Sequence, residues 1–296
     1  MNYVVLGGAG HISKPLTEKL LQLGHKVTVV SRNAGNLKEL AGKGAKVAEG
    51  SVEDVAFLTS IFKGADAVYT MVPPNFGAPD MKEFIGFTGE NYAVAIRNAG
   101  VKYVVNLSSI GAHMATGCGP VSGLFRVEQA FNKLEGVQVK HLRPAYFYQN
   151  FLANIGLIKH AGIIGSNFTI NGKEMPVVDP SDIATVAVEE LTKLDFKGSG
   201  IRYIASDEVS TGDIASAIGK AIGKPDLPWV EFSDDQALEG MKQAGLSENV
   251  AGNYVEMGQA IRNGEMYSEY SKTRPALASV KLDDFAAVFA TAFNAA

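Results

Sequence analysis

A glycine-rich turn near the N-terminus has the composition of a phosphate-binding site. The segment VVLGGAGHIS joins an apolar run to a stretch with helical periodicity, and Ser13 stands where the third glycine of such motifs often falls. Glycines allow a tight turn and a close approach to a pyrophosphate, whose charge is met by free amides at the helix N-terminus. The turn therefore predicts a dinucleotide site. Its predicted contact residues are Gly7, Gly8, Gly10, His11 and Ile12.

The end of the second predicted strand, VVSRN, distinguishes between two kinds of dinucleotide. NAD-binding proteins usually place Asp or Glu there for the ribose 2′-hydroxyl, whereas this chain has Ser31, Arg32 and Asn33. A guanidinium suits the 2′-phosphate of NADP through bidentate hydrogen bonds and stacking on the adenine. Lys38 would add a second charge if it lies in the first turn of the next helix. We therefore predict NADP(H), with a solvated loop cation as the alternative role for Arg32 and for Lys38.

Two later strand ends should line the same crevice, because ligands of parallel sheets sit outside the carboxyl ends of the strands. These ends are the segments EGSVED and TMVPP. Their prolines offer no amide and would act as walls rather than as donors. The residues concerned are Ser51 and Val52 near the adenine, and Met71, Val72, Pro73 and Pro74 near the adenosine ribose and phosphates.

The elements that must position these residues alternate regularly through the first half of the chain. Short β-branched runs such as HKVTVV and VKYVVNL are separated by amphipathic stretches, and the runs are continuously apolar. This pattern is typical of a parallel sheet with helices on both faces. The predicted fold is α/β, a doubly wound parallel sheet of the Rossmann type.

The second half of the chain is less regular after Pro144. Its pattern predicts short strands near NFTI and MPVV, helices over 181–194 and 211–222, and mostly helix after Pro225. No Pro/Ser-rich or charged linker divides the chain. We therefore expect an NADP(H)-binding domain over 1–150 and a smaller, mostly helical substrate-side region over 151–296, interleaved with the core. The predicted helix caps are Ser51 with Asp54, Ser210 with Asp213, Ser233 with Gln236, and the C-terminal glycines Gly24 and Gly100.

Composition disfavours several classes of partner. The net charge of −4, with both signs dispersed along 296 residues, argues against direct nucleic-acid binding. No apolar run approaches the roughly 18 to 20 residues of a membrane span, and no basic and apolar leader opens the sequence. One cysteine and five dispersed histidines predict no metal site and a reducing, cytoplasmic location.

Several of these segments resemble the NmrA-like group of atypical short-chain dehydrogenase/reductases, in order and spacing over almost the whole chain. The resemblance implies NADP(H) binding and a pocket between the Rossmann core and the C-terminal region. It also implies relatives that are NADPH-dependent quinone or related reductases, or redox-sensing regulators. The segments that carry it are the glycine turn, the strand end SRN, TMVPP, VNLSSIGA, LRPAYFYQNF and VDPSDIATVAVEEL.

The usual acid–base pair of short-chain reductases is missing from the sequence. Such enzymes use a tyrosine with a lysine four residues later, and a serine that holds the substrate oxygen. Ser108 or Ser109 could supply the serine, Ser108 being counted among the cofactor contacts. We aligned the segment GPVSGLFRVEQAF, through its Glu128, with the helix that carries the pair in such enzymes. The expected positions of the pair then fall near Pro120 and Leu124, and the segment contains neither Tyr nor Lys. This absence disfavours alcohol oxidation and sugar epimerisation, which need a base.

The substrate side is predicted from the strand end PAYFYQNF and from the loop after VNLSS. The resemblance places Phe147 against the nicotinamide. For each aromatic residue here a core position is the alternative, and for the histidine a mobile loop. The predicted pocket residues are Ser109, His113, Tyr146, Tyr148 and Asn150.

Other conspicuous residues have simpler interpretations. Cys118 has no cationic neighbours in sequence to activate it, so we expect an inert thiol. Arg143 leaves a central strand and is expected in a buried ion pair. Asp179 and Asp182 in VDPSD are expected to cap and start a helix.

Two functions follow from an intact cofactor motif without the acid–base pair. One is an NADPH-dependent oxidoreductase of a small, planar, electrophilic molecule such as a quinone, which accepts hydride and can take its proton from water. The other is a non-catalytic NADP(H) redox sensor that binds a regulatory protein partner. The oxidoreductase is the leading hypothesis, because a complete cofactor site stands beside an aromatic-rich strand end. The sensor is the alternative, which the missing Tyr and Lys favour.

Overall fold

Seven parallel strands form a central sheet within the part of the chain that the computed structural model describes, residues 1–172 and 174–296. The strands in chain order are β1 (Asn2–Val5), β2 (Lys26–Ser31), β3 (Lys46–Glu49), β4 (Ala67–Thr70), β5 (Tyr103–Leu107), β6 (Gln138–Pro144), β7 (Tyr146–Phe147), β8 (Ile164–Ser166), β9 (Met175–Val178), β10 (Ser199–Ile204), β11 (Asp207–Val209) and β12 (Trp229–Glu231). The order across the central sheet is β10-β6-β5-β4-β1-β2-β3. The chain thus reverses its direction of travel between β1 and β4, where a ligand crevice forms in such sheets.

Helices cover both faces of this sheet, which confirms the predicted doubly wound α/β fold. In chain order they are α1 (Ser13–Gln22), α2 (Lys38–Gly42), α3 (Val55–Phe62), α4 (Met81–Ala99), α5 (Pro120–Asn132), α6 (Ile155–Ala161), α7 (Pro180–Lys193), α8 (Thr211–Ala221), α9 (Asp234–Gln243), α10 (Glu248–Arg262), α11 (Tyr270–Thr273) and α12 (Leu282–Ala295). Short 3₁₀ helices span Ala34–Leu37, Tyr148–Asn154 and Glu265–Tyr267. No helix among the described residues is long and apolar enough to cross a bilayer.

The strands are continuously apolar because each side of the sheet is buried. In β1 and in Leu6, which follows it, the side chains alternate between two buried clusters. Tyr3 and Val5 belong to the first cluster, which includes residues of α1 and α7. Val4 and Leu6 belong to a second cluster, which includes residues of α3, α4 and α5. Successive side chains of a strand point to opposite faces, so a strand covered on both sides needs apolar residues at every position.

Helix caps follow the sequence with one exception. Ser210 with Asp213 and Ser233 with Gln236 form reciprocal capping boxes, and Gly24 and Gly100 adopt positive φ angles of 80° and 71° after their helices. The prediction that Ser51 caps the third helix was wrong. Residues 51–54 form a turn, with the Asp54 amide donating to the Ser51 carbonyl, so α3 begins at Val55 and Asp54 itself accepts from the Phe57 amide at 3.0 Å.

The second half of the chain contributes to the same layers. α7 packs against the sheet and β10 extends it beside β6, although both lie beyond residue 150. The predicted strand MPVV is β9, and it pairs with β7 and β11. The strand predicted near NFTI ends just before this segment, because the Ile170 backbone amide and carbonyl pair with Thr211 at the start of α8. The strand in this region is β8, which pairs with β12.

A chain of buried polar side chains crosses three strands of the sheet. Thr70 donates to Asn106 Oδ1 at 2.9 Å, and the Asn106 amide lies 3.1 Å from His141 Nδ1. The other ring nitrogen, Nε2, lies 3.0 Å from Asn132 Oδ1. Since Asn106 donates to Nδ1, the imidazole carries its proton on Nε2 and is neutral. Burial lowers the pKa of His141 to about 4, with Glu128 opposing and Arg143 adding to the effect.

We expect this histidine to make stability depend on pH. An unfolded histidine takes up a proton near its ordinary pKa of about 6.5, whereas His141 in the fold resists protonation until about pH 4. The unfolded state therefore binds more protons between these values, and His141 should cost roughly 3 kcal/mol of unfolding free energy as the pH falls from about 7 to about 4. Urea unfolding at both pH values measures the loss.

The matched variant is His141→Gln, whose amide can accept from Asn106 and donate to Asn132 without titrating. Other groups also titrate in this range, so the informative quantity is the difference between wild type and variant. A variant with the same pH dependence as wild type would show that His141 is not responsible.

Candidate functional site

The glycine turn lies directly against the neighbouring strand ends. Gly7 and Gly8 have φ angles of 99° and 57°, a region that L side chains rarely adopt. A Cβ at Gly7 would collide with Ser13 Oγ and would lie 3.0 Å from the Met71 side chain. A Cβ at Gly8 would lie 3.5 Å from that of Ser31. The turn therefore needs glycine to fit between α1, β2 and the end of β4.

Ser13 replaces the third glycine of the motif without filling the turn. Its side chain is buried, and its hydroxyl donates to the Leu6 carbonyl at 2.9 Å. The first turn of α1 has no acidic residue, and none of the residues described in the structure caps it through a side chain. The Lys14 amide already donates to the Gly10 carbonyl at 3.0 Å, and Pro15 has no amide, so the amides that precede Lys14 are the ones available to a phosphate. No carboxylate of this turn would repel a phosphate.

Arg32 and Lys38 are exposed cations beside this turn. Lys38 is the first residue of α2, as the second-charge prediction required. Neither cation is paired with a carboxylate of the described chain. The nearest acidic residue in sequence, Glu39, is instead bound by Lys14 at 2.6 Å and by Lys43 at 2.8 Å, and these hydrogen bonds lower the pKa of Glu39 to about 2. Both cations are free to meet a phosphate.

The predicted adenine and ribose segments also meet at this edge. The Gly50 amide donates to the Ser31 carbonyl at 3.0 Å, which brings the loop with Ser51 and Val52 beside the end of β2. The Asn33 side chain accepts from the Gly35 amide at 2.8 Å and shapes the turn that follows Arg32. His11 is exposed, and Ile12 is buried at the start of α1. These predicted cofactor residues therefore occupy one edge of the sheet.

A small apolar cleft of about 150 Å³ opens beside the loop after β4. It is smaller than the roughly 300 to 1,000 Å³ of sites for drug-sized ligands, so it suits a small ring and not a dinucleotide. Its lining comes from the loop after β4 (Val72, Pro73, Pro74, Asn75), α4 (Met81, Ile85), α5 (Pro120, Val121, Leu124) and α10 (Tyr254). The two positions where the acid–base pair was expected, Pro120 and Leu124, are thus apolar walls of this cleft.

Tyr254 is a site residue that the sequence did not predict. It reaches the cleft because α10 packs onto the N-terminal ends of α4 and α5. The Met81 amide donates to the Asn249 side chain at 3.0 Å, and Lys82 pairs with Glu256 at 2.5 Å. A Cβ at Gly119 would collide with the Asn253 carbonyl, so the two backbones are in direct contact. No local motif surrounds Tyr254 in the sequence, and only this packing identifies it.

Ser108 and Arg143 meet on a buried carboxylate. Ser108 donates to Glu128 at 2.5 Å, and Arg143 donates to both oxygens of Glu128 at 3.0 and 2.6 Å. Arg143 also donates to the Tyr203 hydroxyl at 3.0 Å. The expected buried ion pair is present, and the Ser108 hydroxyl is held by it.

The predicted substrate residues divide between the surroundings of the cleft and the core. Burial raises the pKa of Tyr146, and the nearby Tyr254 raises it further, while Asn150 opposes this effect. Tyr148 is fully buried and stacks on Phe285 of α12 with ring centroids 5.0 Å apart. Tyr146 and Asn150 thus lie near Tyr254, whereas Tyr148 packs in the core.

The remaining predicted residues are Phe147, Ser109 and His113. Phe147 is partly buried beside the core, and Ser109 is partly buried at the end of β5, where its hydroxyl donates to the Ile110 carbonyl at 2.9 Å. His113 Nε2 lies 3.0 Å from the Ser268 hydroxyl, and burial lowers its pKa. The loop histidine is therefore held against the segment that follows α10.

Two alternative chemistries find no geometry in the described residues. Burial raises the pKa of the Cys118 thiol to about 12, so the thiol stays protonated at neutral pH. No group of three His, Cys, Asp or Glu side chains in residues 1–172 and 174–296 could hold a metal ion. Asp179 caps α7, and Asp182 accepts from Ser206 and Ser279, which are structural roles.

A larger groove of about 410 Å³ lies outside this site, between α4 and α5. Its lining includes the charged residues Glu90, Arg97 and Arg126. None of the predicted cofactor or substrate residues lines it. The candidate site is therefore the cofactor edge together with the small cleft.

Comparison with known proteins identifies the family of the chain. The model of the NmrA-like family matches residues 2–274. The NAD(P)H azoreductase of Xenophilus azovorans is 25% identical to this chain, and the match covers 84% of this chain and 83% of the azoreductase.

Two solved structures are similar over nearly the whole chain. The NADPH-dependent quinone oxidoreductase of Escherichia coli, complexed with NADPH, gives a TM-score of 0.81 over 97% of this chain and 99% of that chain, at 17% identity. The triphenylmethane reductase of Citrobacter sp., complexed with NADP(H), gives 0.78 over 98% and 100%, at 18% identity. At these identities the likeness shows the fold alone.

The contact between Gly119 and α10 predicts a specific sensitivity to mutation. Gly119→Ala should lower the unfolding free energy by about 3 kcal/mol or more, because the new Cβ meets both a positive φ of 54° and the Asn253 carbonyl. Gly117→Ala is the control, since its φ is 80° but its nearest neighbour is Met114 Cε at 3.7 Å. Backbone strain alone should cost about 1 to 2 kcal/mol there. Equal losses in urea unfolding would contradict a tight contact with α10.

Proposed function

Because the chain belongs to the NmrA-like family, we propose that it binds NADP(H) and reduces a small, planar, electrophilic acceptor such as a quinone. The main support is a small apolar cleft that shares Val72 and Pro73 with the cofactor edge. Its wall also contains Pro120 and Leu124, the positions expected for the acid–base pair that short-chain reductases place beside the nicotinamide. An acceptor ring in this cleft would lie next to the dinucleotide and away from bulk water.

Different residues of the cofactor edge would bind different parts of the dinucleotide. The glycine turn and the amides that precede Lys14 would hold the pyrophosphate, and Arg32 and Lys38 would hold the 2′-phosphate. The loops with Ser51 and Val52, and with Met71, flank the adenosine. Ser108 and Phe147 are the contacts proposed nearer the nicotinamide. When bound, NADPH supplies a hydride from its nicotinamide ring.

The cleft favours reduction of an acceptor that needs no base. Its walls at Pro120 and Leu124 carry no group that could remove a proton from an alcohol. A quinone requires only a donor of hydride and a source of a proton. The same walls support the alternative that the chain senses NADP(H) and regulates a protein partner without turnover.

Removal of the Arg32 guanidinium should separate the two dinucleotides. Arg32→Ala should raise the NADPH dissociation constant about tenfold to a hundredfold, because a charge-assisted hydrogen bond contributes about 1.5 to 3 kcal/mol. NADH binding should change by less than about twofold, since it has no 2′-phosphate. Titration calorimetry measures both. Arg97→Ala is the control, because Arg97 is exposed and distant in sequence from the cofactor edge. An equal loss for NADPH and NADH would remove the 2′-phosphate role from Arg32.

Turnover decides between the reductase and the sensor. We expect purified protein to oxidise NADPH in the presence of a quinone, with hydroquinone as product. The absorbance of the reduced nicotinamide should fall much faster than in a blank without protein. A panel of quinones, azo dyes and cationic triphenylmethane dyes tests the acceptor class. Tight NADPH binding without consumption by any acceptor would contradict the reductase and favour the sensor.

A further inference from the structure

Tyr254 offers the cleft a proton that α5 does not supply. Resting on the proposed reductase function, we infer that the Tyr254 phenol hydrogen-bonds the reacting oxygen of the acceptor and donates the proton that completes its reduction. The tyrosine of a typical short-chain reductase would come from the helix that is α5 here. In this chain it comes from α10, on another wall of the same cleft.

The lining of the cleft singles out this phenol. Among the described lining residues, only Asn75 and Tyr254 have polar side chains. The side-chain oxygen Oδ1 of Asn75 accepts from the Gly77 amide at 3.2 Å, and the Asn75 amide nitrogen, although it is a hydrogen-bond donor, does not release a proton near neutral pH. Tyr254 forms no hydrogen bond with a described residue, although its side chain is half-buried. An acceptor oxygen in the cleft would therefore find one free hydroxyl donor in an otherwise apolar setting, where a hydrogen bond is strong.

The helix that carries Tyr254 is held in place before any ligand arrives. On either side of Tyr254, Asn253 and Glu256 contact the N-terminal ends of α5 and α4 through Gly119 and Lys82. Farther along α10, Arg262 pairs with Asp234 at 3.1 Å. A donor fixed in this way loses little conformational freedom on binding, which is the condition for useful positioning.

The phenol is also in the protonation state that donation requires. Burial raises the pKa of Tyr254 above its ordinary value, so the hydroxyl keeps its proton at neutral pH. Because the residue is only half-buried, water can reach it and restore the proton after each turnover.

The chemical step balances with this donor. A quinone becomes a hydroquinone by gaining one hydride and one proton. The hydride comes from NADPH, which becomes NADP⁺. The O–H bond of the Tyr254 phenol breaks, and its proton passes to the acceptor oxygen. The phenolate then takes a proton from water. The planar 10-methylacridinium cation gains a hydride at carbon and becomes neutral, so it needs no proton.

Tyr254→Phe tests the role because it keeps the ring and removes only the hydroxyl. With menadione as acceptor, kcat should fall about tenfold to a hundredfold, in the range expected for loss of a general acid. With the planar 10-methylacridinium cation the rate should change by less than about twofold, because no proton is required. The NADPH dissociation constant should be unchanged. Tyr267→Phe is the matched control, since its hydroxyl is buried without a described partner and does not line the cleft.

Binding provides a second measurement that is independent of turnover. Menadione should bind the NADP⁺ complex of Tyr254→Phe about fivefold to tenfold more weakly than that of the wild type, because one hydrogen bond to the quinone oxygen is lost. An unchanged menadione rate, or equal losses with both acceptors, would overturn the inference. If the wild type reduces no acceptor, the reductase proposal fails, and equal menadione binding by the two proteins would then reject Tyr254 as a contact as well.

Discussion

The ion pair between Glu128 and Arg143 is the interaction that joins the site to the sheet. Their side chains are 3% and 6% exposed, so each charge depends on the other to remain buried. Removal of one partner from such a pair costs about 3 to 5 kcal/mol, because the other charge is left uncompensated. The pair attaches α5 to β6, and Ser108 and Tyr203 extend it to β5 and β10. The position of α5, and with it one wall of the cleft, follows from this buried contact.

The two parts of the candidate site arise from different kinds of structure. The cofactor edge is built from several strand ends, each marked by a short local segment such as the glycine turn, whose backbone geometry demands glycine. The cleft is built from long-range packing, since Val72 and Tyr254 are brought together only by the seating of α10 on α4 and α5. Under the proposed function, cofactor binding and acceptor choice would therefore depend on separate sets of contacts. Substitutions in α10 can change the second set without touching the glycine turn.

Sequence reasoning succeeded where the physical cause is local. The sheet type, the two capping boxes and the ion-pair role of Arg143 all follow from periodicity or from the cost of burying a charge. It failed where the cause is distant. The backbone of NFTI pairs with Thr211 instead of with a strand, Asp54 displaced Ser51 as a cap because a turn precedes α3, and Tyr254 has no signature around it. A tyrosine on an amphipathic helix looks like an ordinary packing residue until the facing helix is known.

Because Arg32 and Lys38 are exposed, the discrimination between the two dinucleotides that we propose for them would depend on salt concentration. Both cations lie in water, and ions at a physiological concentration of about 0.15 M screen charges beyond about 8 Å. Their long-range attraction for a 2′-phosphate is therefore weakened by salt, whereas the hydrogen bonds that the glycine turn offers to a pyrophosphate are short-ranged. Under the proposed function, preference for the phosphorylated dinucleotide would thus fall as ionic strength rises, and the surrounding solution would take part in selecting the reductant.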